Sequence, residues 1–126
     1  MTIWRTNHLG LPAPAGPYVH AVRHGGTLYL SGLTAFGGEA ASGPIEDQAR
    51  EIFRQMGLIA SAHGSGLANL LKVTAFVTEM DRVDALREAL FDIYGPNLPA
   101  SSLVRVAGLF ADGLKIEVEA VLAVNG

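Results

Sequence analysis

The sequence contains no cysteine, and this absence removes several kinds of chemistry at once. Disulfide bonds, thiolate metal sites and thiol nucleophiles are all excluded. No stretch approaches the ~18 consecutive apolar residues of a spanning helix, so we expect no membrane interaction. The first five residues also lack the basic and apolar regions of a signal peptide, so we expect a cytoplasmic protein.

The chain also has little positive charge and lacks the motifs that mark several common enzyme classes. Its 9 lysines and arginines form no cluster and are outnumbered by 12 acidic residues, which argues against nucleic acid as a partner. There is no Gly-rich phosphate loop, no dinucleotide fingerprint and no Gly-x-Ser-x-Gly motif. His20 and His24 are four residues apart, but they fall on a predicted strand and its turn and not on a helix, so no metal site is predicted.

Apolar residues, in contrast, are abundant. They make up 49% of the 126 residues, and charged residues make up 17%, against about 25% in typical globular domains. The length suits one domain spanning residues 1–126, and the mean hydropathy of +0.30 is high for such a chain. We therefore expect another copy of the same chain to cover the surplus apolar surface.

Hydrophobic periodicity predicts five strands and two helices in the order β-β-α-β-α-β-β. The predicted strands are residues 18–23, 27–31, 71–78, 101–107 and 114–124, and the predicted helices are residues 44–63 and 81–94. Both helices carry an apolar stripe, which favours an α+β fold with one sheet and both helices on a single face. The other face of the sheet would then be covered by an oligomer.

Polar side chains stand at the ends of several predicted strands. Tyr18 begins the first strand, Ser31 ends the second and Ser101 begins the fourth. In the last strand Glu117 and Glu119 share one face. Burying two like carboxylates is costly, so at least one should be exposed, paired or working as an acid or base. A solvated charged face is the alternative interpretation.

Five short segments in order form a recognisable pattern: PAGPY at residues 14–18, LSG at 30–32, KVTAFV at 72–77, PAS at 99–101 and KIEVEA at 115–120. With them the chain resembles the RidA/YjgF (reactive intermediate deaminase A) family over nearly its whole length. The resemblance implies a chorismate-mutase-like fold and a homotrimer with a central barrel-like core, with small-molecule clefts between neighbouring subunits. It also implies hydrolysis of reactive imines and enamines to a keto acid and ammonia, without a cofactor.

The resemblance also implies roles for individual residues. Glu117 matches the glutamate that orders the attacking water, and Tyr18 matches the tyrosine that closes the cleft. The candidate substrate-binding positions are Ser31, Gly32, Leu33, Arg87, Ser101, Leu103 and Arg105, the last two because they share a strand face with Ser101. The family has an arginine at the position of Ser101 that binds the substrate carboxylate. We therefore expect an arginine-lacking member with little activity on simple 2-imino acids.

Two functions remain open on the sequence alone. The first is binding of a small metabolite between subunits and hydrolysis of an imine-like or enamine-like substrate. The alternative is a non-catalytic trimer that binds a metabolite or a protein partner. Some candidate residues also have structural alternatives: Arg87 can pair with Asp84, Arg105 with a glutamate of another subunit, and Tyr18 can be an interface aromatic.

Overall fold

The computed structural model describes residues 1–125, which form a six-stranded sheet covered by two helices. The strands are β1 (Ile3–Thr6), β2 (Ala21–His24), β3 (Thr27–Leu33), β4 (Leu70–Val77), β5 (Ala100–Arg105) and β6 (Ile116–Ala123); the helices are α1 (Ile45–Ala62) and α2 (Val83–Tyr94). Short 3-10 turns, Glu39–Ser42 and Leu67–Asn69, flank α1. The predicted α+β class is confirmed, and the predicted elements occur in the predicted order.

Strand β1 is an element that the sequence did not predict. It has four residues, three of them exposed, and shows no alternation of apolar and polar residues, so its pairing with β2 leaves no periodic signal. The first predicted strand begins late for a different reason. The amide of Tyr18 donates to the carbonyl of Gly16 (2.9 Å) and that of His20 donates to Asn7 Oδ1 (3.1 Å). These bonds keep residues 18–20 in a loop.

The strands lie in the order β1-β2-β3-β6-β4-β5. All neighbours are antiparallel except β4 and β5, which are parallel. Parallel neighbours need a crossover connection, and α2 lies in that connection. Strand β6 pairs with both β3 and β4 and so occupies the middle of the sheet. Its side chains therefore lie next to residues from both halves of the chain.

The hydrophobic core lies between the sheet and the helices. Along β6 the buried residues are Ile116, Val118, Ala120 and Leu122, and those between them are half-buried or exposed. Helix α1 contributes Ile45, Ala49, Ile52, Phe53, Met56, Ile59 and Ala60 to the same core. The alternation confirms that the helices cover one face of the sheet. Neither helix within residues 1–125 combines the length and apolar composition needed to cross a bilayer.

The opposite face of the sheet retains apolar side chains in contact with solvent. Tyr29 on β3 is 50% exposed and Val104 on β5 is 44% exposed, and Phe76 on β4 is half-buried. Exposed apolar residues on one sheet face are typical of an interaction surface. This is the face for which the sequence analysis expects cover from another copy of the chain.

A buried glutamine on α1 holds the loops that precede β6. Gln48 is fully buried, and its Nε2 lies within hydrogen-bond distance of the carbonyls of Ala41 (3.3 Å), Gly43 (3.1 Å) and Gly113 (2.9 Å). Its Oε1 accepts from the amide of Lys115 (2.9 Å). One side chain therefore connects the loop before α1 to the turn before β6, and so fixes where β6 begins.

The N-terminal loop is held by histidines. The buried ring of His20 accepts a hydrogen bond from the amide of His8 at Nδ1 (2.9 Å), so its Nε2 carries the proton and donates to the carbonyl of Pro12 (2.9 Å). The rings of His8 and His63 pack edge to face, with centroids 5.4 Å apart. Burial, followed by the charges of neighbouring groups, lowers the pKa of both His8 and His63. The loop therefore packs best when these rings are neutral.

Candidate active site

A bulge in β3 shapes the strand end that carries two of the predicted site residues. The register between β3 and β6 shifts between Leu30 and Leu33, so Ser31 and Gly32 leave the regular ladder. The Ser31 hydroxyl donates to the carbonyl of Val19 (2.6 Å), which fixes its rotamer. Bulges are frequent beside functional sites because they redirect side chains, and this one places a glycine next to the centre of β6.

The carboxylate of Glu117 lies directly over Gly32. A Cβ atom added at Gly32 would stand 2.9 Å from Cδ of Glu117 and closer still to one carboxylate oxygen. Glu117 is half-buried, whereas Glu119 on the same strand face is exposed. Burial, and secondarily the charge of Glu119, raises the pKa of Glu117 above its ordinary value. When ionised, this carboxylate is therefore a stronger proton acceptor than a free glutamate.

Both predicted catalytic residues line a single cavity of about 670 Å³. The predicted site residues that the structure brings together there are Glu117, Tyr18, Ser31, Gly32 and Leu33. The hydroxyl oxygen of Tyr18 accepts a hydrogen bond from the amide of Ala15 (3.2 Å), which folds the ring over its own loop. The hydroxyl hydrogen remains available to a ligand, as the sequence-based role of a cleft-closing tyrosine requires.

Two phenylalanines form much of the apolar wall of this cavity. The rings of Phe36 and Phe110 lie 5.1 Å apart in a tilted arrangement, within the range in which aromatic pairs attract. Both side chains are at least half exposed. The cavity therefore presents aromatic surface on one side and the Glu117 carboxylate on another, an arrangement suited to a small ligand with an apolar part.

Gln55 on α1 also lines the cavity, and the sequence analysis missed it. It is 4% exposed, and its Nε2 donates to the carbonyl of Thr34 (3.1 Å) and to Glu51 Oε2 (2.8 Å). The sequence nevertheless contains a pattern that indicates Gln55. Gln48 and Gln55 lie seven residues apart within the apolar stripe of α1, where a polar residue needs a specific partner.

Two other predicted site residues, Arg87 and Ser101, line a second and smaller cavity of about 270 Å³ between α2 and β5. Arg87 is largely exposed and lies 3.6 Å from Asp84, the helical pairing that the sequence analysis gave as its alternative. Tyr94 also lines this cavity. Its hydroxyl is buried without a hydrogen-bond partner, and burial raises its pKa to about 12.

The strand register separates Ser101 from Glu117 within one chain. Ser101 pairs with Val73, and Glu117 pairs with Phe76. Paired residues share a face and side chains alternate, so Ser101 and Glu117 lie on opposite faces of the sheet. Strand β4 also stands between β5 and β6, which adds about 10 Å at ~4.8 Å per strand. A site that used both residues would need two chains.

The two remaining substrate-binding candidates on β5 lie on the same face of the strand as Ser101. Leu103 is half-buried and packs against the core. Arg105 is exposed, and its Nε lies 3.5 Å from the carbonyl of Thr78, at the limit of a hydrogen bond. Neither residue lines the cavity of Glu117. Within residues 1–125, no group of three or more histidine, aspartate or glutamate side chains is placed to hold a metal ion.

Comparison with known proteins identifies the family. A family model described as Endoribonuclease L-PSP matches residues 10–124. A 2-iminobutanoate/2-iminopropanoate deaminase of Dermatophagoides farinae is 31% identical over 117 residues, which cover 90% of this chain and 91% of that protein. The chain belongs to the RidA/YjgF family. A RutC family protein of Pyrococcus horikoshii is 33% identical over 113 residues, covering 87% of this chain and 89% of the relative.

Solved structures of RidA/YjgF proteins share the fold. A Mycobacterium tuberculosis structure, described as a member of the YjgF/YER057c/UK114 family, matches with a TM-score of 0.80 at 25% identity and covers 98% of this chain and 100% of that one. A yeast structure matches with a TM-score of 0.90, also at 25% identity, with the same coverage of both chains. The RidA/YjgF membership predicted from five sequence segments is thereby confirmed.

Proposed function

We propose that this RidA/YjgF protein is a homotrimeric hydrolase that cleaves an imine or enamine in the cavity beside Glu117. The observation that carries the proposal is the Glu117 carboxylate, which is half-buried, has a raised pKa and lies over Gly32 at a cavity wall. A general base works best when its pKa is raised toward the working pH. Relatives that bear the name 2-iminobutanoate/2-iminopropanoate deaminase support the reaction class.

The proposed reaction needs one water and one carboxylate. Glu117 accepts a proton from the water as the water oxygen bonds to the C=N carbon, and passes that proton to the imine nitrogen to give a neutral carbinolamine. The carbinolamine hydroxyl then gives its proton through Glu117 to the nitrogen as the carbon–nitrogen bond breaks, so that a primary imine releases ammonia and leaves a carbonyl product. The Tyr18 hydroxyl is free to donate a hydrogen bond to the substrate. The bond of Ser31 to the carbonyl of Val19 fixes the part of the cavity wall next to Gly32.

The trimer is part of the proposal, and two features support it. One sheet face exposes Tyr29 and Val104, and Ser101 lies in a different cavity from Glu117. Ligand clefts between subunits would bring the two cavities of different chains to one ligand. Light scattering of the purified protein should give three times the 13.2 kDa chain mass. A monomer mass at micromolar concentration would contradict the assembly.

The substrate should lack an obligatory carboxylate. Ser101 supplies a hydroxyl where the resemblance implies an arginine, and a hydroxyl offers one donated hydrogen bond but no countercharge. Loss of a cation that pairs with a desolvated carboxylate costs roughly 2–5 kcal/mol, or about 30-fold to several thousand-fold in activity. We therefore expect weak turnover of 2-iminopropionate and better turnover of primary imines that carry no carboxylate.

The variant Glu117→Gln tests the mechanism because it removes the charge and keeps the shape. Ammonia release from the best imine should fall about 10²- to 10⁴-fold, the usual contribution of a general base, while the mass in solution stays unchanged. Glu119→Gln is the matched control, since Glu119 lies on the same strand face but is exposed, and it should retain turnover. Full turnover by Glu117→Gln would remove Glu117 from the mechanism.

A second function, a non-catalytic trimer that binds a metabolite or a protein partner, is favoured by one observation. The position of the family's substrate-binding arginine is Ser101, which shares its cavity with mostly apolar residues of α2 and of the loop before β5. A broad screen of imines and enamines that found no turnover above the uncatalysed rate would favour this second function over hydrolysis.

A further inference from the structure

The cavity beside Glu117 contains a second fixed hydrogen-bond acceptor, the side-chain oxygen of Gln55. Both hydrogens of its Nε2 are used, one on the carbonyl of Thr34 (3.1 Å) and one on Glu51 Oε2 (2.8 Å). Both partners are acceptors, so rotating the amide by half a turn would set oxygen against oxygen. The orientation of the Gln55 amide is therefore determined by its partners.

The carboxylate that orients Gln55 is itself held in place. Arg54 donates to both oxygens of Glu51, each at 2.8 Å, and this pair is the largest cause of the lowered pKa of Glu51. Glu51 therefore stays ionised well below neutral pH and continues to accept the hydrogen bond from Gln55. The amide is fixed by a charged group as well as by the backbone.

The oxygen of Gln55 remains open to the cavity. It has no hydrogen-bond partner among the described residues, although the side chain lines the cavity. Within residues 1–125, the Tyr94 hydroxyl is the sole side-chain polar atom that is both fully buried and without a hydrogen-bond partner. The unpartnered oxygen of Gln55 is therefore not fully buried. Gln55 Oε1 is therefore accessible from the cavity, although the residue as a whole is 4% exposed. An acceptor in such a position is strongly favoured to meet a donor.

Most of the other polar groups of the cavity are acceptors too; the exceptions are the hydroxyls of Tyr18 and Thr34, each of which accepts from a backbone amide and keeps its own hydrogen. Ser31 uses its hydroxyl hydrogen on Val19, which leaves lone pairs on its oxygen, and Glu117 presents a carboxylate. Both ring nitrogens of His20 are engaged within the chain. Among the described residues that line this cavity there is no lysine or arginine. The charge of this cavity is thus the reverse of that which binds a carboxylate, and its hydroxyl donors supply no countercharge.

We propose that the cavity selects a cationic or N–H-rich ligand carried on an apolar group, such as an iminium, amidinium or primary ammonium, whose N–H groups donate to Gln55 Oε1 and the Glu117 carboxylate. The apolar group lies against Phe36 and Phe110, whose ring faces also attract cations. This inference rests on the proposed function and names its substrate class. It distinguishes the chain from relatives whose named substrates, 2-iminobutanoate and 2-iminopropanoate, are acids.

Benzamidine and benzoate test this preference, because they have nearly the same shape and opposite charge. Titration of each into the assembled protein, followed by NMR line broadening or calorimetry, should show benzamidine bound about 10- to 100-fold more tightly, as expected for charge-assisted hydrogen bonds. Tetramethylated benzamidine keeps the charge but has no N–H, and it should lose most of that advantage. Equal or tighter binding of benzoate overturns the proposal and indicates a cation contributed across the subunit interface.

The variant Gln55→Met then locates the effect. It should weaken benzamidine binding about tenfold and leave benzoate binding unchanged, whereas a purely structural role for Gln55 would change both probes equally and overturn the proposal. If Gln55→Met does not fold, the three probes on the wild-type protein still decide. These measurements record binding and need no turnover. The proposed ligand preference and the hydrolysis proposed for Glu117 are therefore tested separately, and either can be wrong while the other holds.

Discussion

Replacing Gly32 by alanine separates the position of the Glu117 carboxylate from the stability of the fold. The new Cβ would stand 2.9 Å from Cδ of Glu117, and real Cβ atoms essentially never approach another heavy atom within 3.0 Å. The colliding atoms belong to the end of a flexible side chain, so the carboxylate can swing aside while the backbone stays in place. Gly32 is not among the glycines with a positive φ, so its backbone accepts alanine.

The two expected effects differ greatly in size. A Gly-to-Ala change at a compatible position stabilises by about 0.4–1 kcal/mol through the unfolded chain, which offsets part of the cost of moving Glu117. Stability should therefore change little. A displacement of about 1 Å in a catalytic group can cost about 10²-fold in rate, and complete loss of the base costs up to about 10⁴-fold. At ~1.36 kcal/mol per decade, this is roughly 2.7–5.4 kcal/mol of lost transition-state stabilisation.

Turnover of the best imine and thermal unfolding should be measured side by side for Gly32→Ala. The matched control is Gly57→Ala on α1, where an added Cβ meets no atom within 4 Å. A helix-interior alanine there should stabilise by roughly 0.5–1 kcal/mol and leave turnover unchanged. Wild-type turnover in Gly32→Ala would refute the argument that the carboxylate must lie over this glycine.

Three further expectations concern pH and stability. The acid limb of turnover against pH should have an apparent pKa above the ordinary glutamate value, since the pKa of Glu117 is raised, and Glu119→Gln should move that limb to lower pH. Gln48→Met should destabilise by about 2–3 kcal/mol in a denaturant titration, because several backbone groups lose their partner; a change below about 0.5 kcal/mol would contradict this. Folding lowers the pKa of both His8 and His63 from 6.5. Their contribution to the free energy of unfolding should therefore be fully present above pH 6.5 and be lost as the pH falls below that value. His63→Gln should flatten the fall, and an unchanged pH dependence would show that His63 does not contribute.

The helices were the most predictable part of the fold. The predicted helix at residues 44–63 occurs as Ile45–Ala62, and the one at 81–94 as Val83–Tyr94, because long amphipathic segments repeat their signal over several turns. Strand β1 gave no such signal, since it is short and largely exposed. Its pairing with β2 depends on tertiary contacts that sequence periodicity does not report.

The site was predictable residue by residue but not in its spatial grouping. Motif resemblance pointed to Glu117 and Tyr18, and both line the main cavity. Period-two alternation correctly placed Ser101, Leu103 and Arg105 on one face of their strand, but it does not say which face of the sheet that is. The answer depends on the parallel register of β4 with β5, which is set by the crossover through α2. Gln55 was missed because one of its partners, the carbonyl of Thr34, comes from another part of the chain, and the other, Glu51 on the same helix, does not by itself indicate a site.

The central place of β6 has a consequence for synthesis on the ribosome. Strands β3 and β4 each use β6 as a partner, yet β6 leaves the ribosome after every other element of the sheet. Until then the nascent chain has two separate groups of strands, each with an open edge where β6 will pair, and open edges promote misassembly. The Gly32–Glu117 contact also joins these two stages of synthesis. The cavity can therefore form only when β6 pairs with β3 and completes the sheet.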